Sequence, residues 1–232
     1  MPKPKNLRIH MTPGEKALGW LYLLLELFVI PTLLHMLNEK LGNPMSAAIQ
    51  NFIFFSLNFI AILVIFHRFL LKSLESAGKK FWNFLQFSVL GFIAYWVCSY
   101  GLEHLILLVK PDFANVNDAA MATMAGEHFL LIAIGTILLV PIVEECLFRG
   151  LLFLELQSQK RWLAYVLSTI CFCMIHVMGY IGQFDPFTLI LCFLQYIPAG
   201  LCLAWSYTKA DTVFAPILIH AAVNAIGIWQ VR

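Results

Sequence analysis

Residues 128–156 read HFLLIAIGTILLVPIVEECLFRGLLFLEL. The first half is an unbroken apolar run; the second holds Pro141, the adjacent pair Glu144 and Glu145, and Arg149. About 20 apolar residues, rising 1.5 Å each, cross the hydrocarbon core of a bilayer. An ionisable group inside such a run costs roughly 2.5–3.5 kcal/mol on insertion scales, so three of them need a reason. The whole chain says which solvent applies. It is 61% hydrophobic and 12% charged, with a mean hydropathy of +0.82, where a soluble domain carries about twice that charged share. Folded in water, it would expose large apolar patches. The expected fold is therefore all-α, a polytopic transmembrane helical bundle.

Working outward, apolar stretches of spanning length run from about Ala17 to Leu37, Ala47 to Phe66, Phe81 to Val109, His128 to Leu156, Trp162 to Met178, Phe187 to Tyr207 and Thr212 to Trp229. That gives about seven spans in one integral membrane domain, residues 1–232. Residues 17–109 form spans one to three and residues 127–230 the last four. Eleven of the fifteen Lys and Arg fall on one side of this alternation: Lys3, Lys5, Arg8 and Lys16, then Arg68, Lys72, Lys79 and Lys80, then Lys160 and Arg161, then Lys209. Lys40, Lys110 and Arg232 fall on the other. The positive-inside rule then puts the N-terminus in the cytoplasm and the C-terminus outside. Span one lacks a short apolar core followed by a small-residue cleavage site and reads as a retained helix. The ending Trp229-Gln230-Val231-Arg232 is no prenylation box.

A net charge of +2 gives no reason to expect a nucleic-acid partner. The six cysteines all sit in apolar segments and form no CxxC pair, so they read as packing groups and not as a disulfide or zinc framework.

On a helix Glu145 and Arg149 are i,i+4 neighbours and can pair. Glu144 lies about 100° further round and is left for other work. In a poorly solvated site such a carboxylate suits a general base. An ion pair gluing helices together is the plain reading of Glu145 and Arg149 alone. His176, in Phe172-Cys173-Met174-Ile175-His176, reads by itself as a core histidine bonded to a backbone carbonyl. His220 and Asn224, spaced i,i+4, share one helical face and read by themselves as interhelical hydrogen-bonding groups. Depth joins them. Counting from the same side, Glu144 lies about 18 Å in, His176 about 21 Å and His220 about 12 Å. Given the uncertain span ends, three helices deliver Glu, His and His/Asn to one layer.

In this order EExxxR, FxxxH and HxxxN resemble the CPBP intramembrane proteases, the family of CAAX-prenyl endopeptidases and bacteriocin-processing (Abi) proteins. The flanks Pro-Ile-Val-Glu-Glu-Cys-Leu-Phe-Arg-Gly and Phe-Ala-Pro-Ile-Leu-Ile-His-Ala-Ala-Val-Asn agree, and the resemblance covers about Glu127 to Trp229. It implies an intramembrane endopeptidase acting on a membrane-associated protein or peptide, of CAAX type or processing a peptide precursor. It further implies that Glu144 and His176 activate water, His220 and Asn224 stabilise the oxyanion, and Glu145, Arg149 and Phe172 support them. If zinc is used, Glu144, His176 and His220 would be the ligands; a metal-free glutamate mechanism needs the same residues. The compact length resembles prokaryotic members, implying a bacterial plasma membrane.

Two other classes use the same residues. One is a non-catalytic membrane regulator or bacteriocin-immunity protein on the same scaffold. The other is a transporter, for which no inverted repeat or paired broken helix speaks. Among the remaining polar groups in the spans, Glu26 is the one to watch as a cavity or substrate contact. His35, Asn51, Asn58, Glu103, His104 and Gln195 stay unassigned.

Overall fold

The computed structural model describes residues 7–42 and 44–230; Lys3, Lys5, Val231 and Arg232 lie outside the described residues. The described chain is helical, with one isolated bridge between Ile181 and Phe184. Its helices are α1 (Pro13–Glu39), α2 (Ala47–Ile65), α3 (His67–Lys79), α4 (Phe81–Val109), α5 (Val116–Gln157), α6 (Arg161–Tyr180), α7 (Pro186–Ala210) and α8 (Phe214–Gln230). All but α3 and α8 are long and apolar enough to cross a membrane, and α8 is an apolar helix of 17 residues. The polytopic bundle expected from composition is the fold observed. Leu18, Leu21, Phe28, Val64, Val97, Leu108 and Leu130 face outward, a surface suited to lipid and not to water.

Helix α5 is longer than its apolar run. Forty-two residues would extend about 63 Å as a straight helix, twice the hydrocarbon core. The backbone breaks at His128 (φ −140°, ψ 68°), the residue at which the apolar run begins. Helix α3 is the second departure. The basic stretch between spans two and three forms an amphipathic helix, with Phe69, Leu70, Ser73 and Ala77 inward and Arg68, Lys72 and Glu75 outward. Glu15 fixes both local ends. Its Oε2 accepts from the Thr12 amide at 2.8 Å in a capping box, and its Oε1 accepts from the Phe69 amide at 2.8 Å.

Two π turns precede prolines. In Gly135–Leu139 the Val140 N–H donates to the Gly135 carbonyl, and the next donor in that register would be Pro141, which has no N–H. The Thr136 carbonyl is therefore released from the helix ladder. Leu25–Val29, followed by Pro31, repeats the pattern and releases the Glu26 carbonyl. A longer π segment, Cys146–Phe153, carries Arg149.

Around Arg149 the main core gathers Phe66 from the turn between α2 and α3, and Phe69, Leu151, Phe153, Phe172, Tyr207 and Ile219 from five helices. Helix α7 reaches α6 closely at Gly200, where a Cβ would stand 2.6 Å from Thr169 Cγ2 and 3.0 Å from Thr169 Cα. Because the second contact is backbone, it has no rotamer with which to yield. Gly200→Ala should cost about 1–3 kcal/mol of stability, whereas Gly101→Ala, with nothing within 4 Å, should leave thermal unfolding in detergent unchanged.

Candidate active site

The buried end of the motif in α5 is built around charge. Glu145 and Arg149 are both fully buried, with Arg149 Nε 3.1 Å from Glu145 Oε2. Arg149 Nη2 reaches the Ala199 and Gly200 carbonyls of α7 at 3.5 and 3.4 Å, and the guanidinium lies 4.4 Å from the Phe172 ring centroid. Phe172 therefore supports the cation through its face, and Phe148 packs edge-on against it. The pair is one link in a longer chain. Glu145 Oε1 accepts from His220 Nδ1 at 3.0 Å, which assigns the hydrogen to Nδ1 and turns Nε2 the other way.

His220 Nε2 points at Glu144 Oε2, 4.0 Å off. On the opposite flank His176 Nδ1 donates to the Phe172 carbonyl at 2.8 Å, and its Nε2 also lies 4.0 Å from Glu144 Oε2. Both imidazoles are thus held through Nδ1 and present Nε2 to the same carboxylate oxygen. At 4.0 Å neither makes a hydrogen bond to it. That oxygen is buried and has no hydrogen-bond partner among the described residues. The sequence-selected Glu144, His176 and His220 are brought together, and the plain reading of His176, a ring bonded to a backbone carbonyl, also applies to its other nitrogen.

Asn224 sits one turn beyond His220 on α8. Its Nδ2 donates to the Thr136 carbonyl at 2.7 Å, the carbonyl that Pro141 leaves free in the π turn. The amide is therefore anchored to α5 through a backbone acceptor.

Tyr196 is a residue the motif reading passed over. Its ring stacks on His176 with centroids 4.1 Å apart and planes 28° from parallel. Its hydroxyl donates to Asp118 Oδ1 at 3.0 Å and accepts from Asn117 Nδ2 at 3.1 Å, while Asn115 Nδ2 donates to Gln195 Oε1 at 2.7 Å. This network ties α7 to the start of α5 and holds the outer face of His176. Three of the unassigned polar groups have ordinary partners away from the site: Asn51 bonds the Ala47 carbonyl, His104 the Tyr100 carbonyl, and His35 pairs with Glu39 on the exposed surface.

A zinc ion on Glu144, His176 and His220, which the resemblance leaves open beside a metal-free mechanism, would require these side chains to move closer together. Tetrahedral zinc with bonds of about 2.0–2.1 Å brings its ligands about 3.3 Å apart, against the 4.0 Å found from Glu144 to each histidine. No group of three or more His, Cys, Asp or Glu with metal-holding geometry occurs among the described residues. The six cysteines form no disulfide; Cys146, Cys173, Cys192 and Cys202 are buried packing groups.

Fold and site together define a multi-pass helical membrane protein in which Glu144, His176 and His220 converge within the bundle. Residues 126–226 match the family described as "Rce1-like: Type II CAAX prenyl endopeptidase Rce1-like". That stretch holds all three motifs, and the resemblance to this membrane protease family is borne out there. Two curated relatives come from Lactococcus lactis subsp. lactis (strain IL1403). UPF0177 protein YxdF is 24% identical over 171 residues, covering 72% of this chain and 89% of its own. UPF0177 protein YbdI is 25% identical over 178 residues, covering 74% and 91%. No solved structure matches the chain significantly.

Removing one partner of a fully buried pair leaves an uncompensated charge. Arg149→Met should cost about 3–5 kcal/mol, and Glu145→Gln with Arg149→Met together should recover most of that loss. Unfolding of the three variants in the same detergent checks this; a double variant as unstable as Arg149→Met contradicts it.

Proposed function

We propose that the chain is an intramembrane endopeptidase hydrolysing a peptide bond of a membrane-associated protein or peptide. The observation that carries this reading is the meeting of Glu144 Oε2 with Nε2 of His176 and of His220 at 4.0 Å each. A 4.0 Å gap between polar atoms is one that a shared water bridges. A water held by Glu144 and His176 Nε2 gives up a proton to the carboxylate as its oxygen attacks the scissile carbonyl carbon. The carbonyl electron pair moves to its oxygen, which needs donors at that moment. An amide nitrogen carries two hydrogens, so Asn224 Nδ2 keeps one after bonding Thr136. His220 donates from Nε2 only when both its nitrogens carry hydrogen, and Glu145 on Nδ1 balances the resulting charge. Collapse of the tetrahedral intermediate breaks the C–N bond, and the proton on Glu144 passes to the leaving amine.

In this reading residues 127–230 are the catalytic core and residues 17–109 the spans that enclose it. The Lys and Arg asymmetry favours a cytoplasmic N-terminus. The bacterial relatives favour a bacterial plasma membrane, and the family description favours a prenylated CAAX-type end or a lipid-associated peptide precursor as substrate. The test is the purified chain, reconstituted in liposomes, with a farnesylated CAAX reporter peptide. Glu144→Gln should abolish cleavage, and Asn224→Ala should lower kcat by about 10²–10³ through loss of one oxyanion donor. Cleavage by Glu144→Gln at the wild-type rate would remove the assignment.

A further inference from the structure

Beside Glu144 lies a cavity with a volume of about 40 Å³, walled by Phe55, Val140 and Val143 and lined on its polar side by Glu26, Asn58 and Glu144. A water needs roughly 10–15 Å³ of such space and two to four polar partners, so the cavity has room for water. Glu26 and Asn58 come from α1 and α2, outside the stretch that matches the protease family.

The placement of Glu26 is specific. Its neighbours Leu24, Leu25, Phe28 and Val29 are exposed on the lipid-facing surface, whereas its Oε2 is buried and without a hydrogen-bond partner among the described residues. The π turn Leu25–Val29 sets that register. Glu144, whose Oε2 is likewise buried and without a hydrogen-bond partner among the described residues, lines the same space. The Tyr22 hydroxyl donates to Asn58 Oδ1, which fixes the amide and leaves Nδ2 as its donor end. Two carboxylates lacking partners and one oriented amide around an apolar-walled, water-sized space make a water site, since lipid would satisfy none of them.

We infer that Glu26 and Asn58 hold the hydrolytic water, and its replacement, against Glu144. This rests on the hydrolase reading above and extends it: the first two spans supply the co-substrate, which the bilayer itself does not. Glu26 acts as a positioning residue by hydrogen bonding, so shape and polarity matter more than charge.

The test compares kcat and KM of the full chain in liposomes on the farnesylated CAAX peptide for wild type, Glu26→Leu, Glu26→Gln and Asn58→Leu. Glu26→Leu and Asn58→Leu should lower kcat by about tenfold to a hundredfold with KM unchanged, while Glu26→Gln stays within about threefold of wild type. A packing role predicts the reverse order, because Leu suits a lipid-exposed helix better than Gln. Wild-type kcat in Glu26→Leu, or a loss confined to KM, overturns the inference. Leu variants that unfold while Glu26→Gln loses kcat as fully as Glu144→Gln also overturn it, since hydrogen bonding would then not suffice. Glu144→Gln in the same assay separates the two levels: its wild-type cleavage would remove the hydrolase reading itself.

Discussion

Arg149 and Glu145 form a fully buried ion pair on one helix, and the other site contacts are arranged around it. Burying two charges is expensive unless their remaining hydrogen-bonding capacity is used. Here part of it is used across helices: Arg149 Nη2 extends to the Ala199 and Gly200 carbonyls, the guanidinium to the Phe172 face, and Glu145 Oε1 to His220, while Arg149 Nη1 has no hydrogen-bond partner among the described residues. One pair on α5 therefore sets the positions of α6, α7 and α8. Glu144, the next residue along, is turned off this axis and keeps an oxygen without a partner. Structural and chemical carboxylates are separated by about 100° of helix rotation.

Proline does the second part of the organising. Pro141 cannot complete the hydrogen bond that the π turn before it would call for, and the freed Thr136 carbonyl anchors Asn224 from α8. Pro31 follows the same kind of turn in α1, where Glu26 leaves the lipid face for the cavity beside Glu144. In a bilayer, backbone groups released from a helix have no water to turn to, so each release has to be matched by a neighbouring helix or an internal cavity. The two polar features of the site outside the ion pair both arise at such points.

Much of this was legible in the sequence because a membrane makes hydropathy nearly decisive. The spans read from Ala47, Phe81 and Trp162 start within a residue of the helices found, and the fourth span's start at His128 coincides with the break in α5. Helix α3 escaped because its charged face reads as a basic connection, although Phe69, Leu70, Ser73 and Ala77 already carry the helical period. The site residues were selected by motif and depth, and the structure brings Glu144, His176 and His220 to one point. What the sequence did not carry was orientation: which histidine nitrogen faces Glu144, that Asn224 leans on a backbone carbonyl, and that Tyr196 stacks on His176. Residue type alone leaves zinc and metal-free catalysis open, and the 4.0 Å spacing is wider than the roughly 3.3 Å that a zinc ion would impose.

Turnover of peptide bonds at the Glu144–His176–His220 cluster can be read out without choosing a substrate. Membranes from cells expressing the wild-type chain, or the His176→Ala chain at equal level, would be compared by mass-spectrometric profiling of protein and peptide termini. New termini are expected in the wild-type membranes, at or near lipid-embedded or lipid-modified segments, and should vanish in His176→Ala. Identical terminal profiles in the two membranes would contradict that turnover.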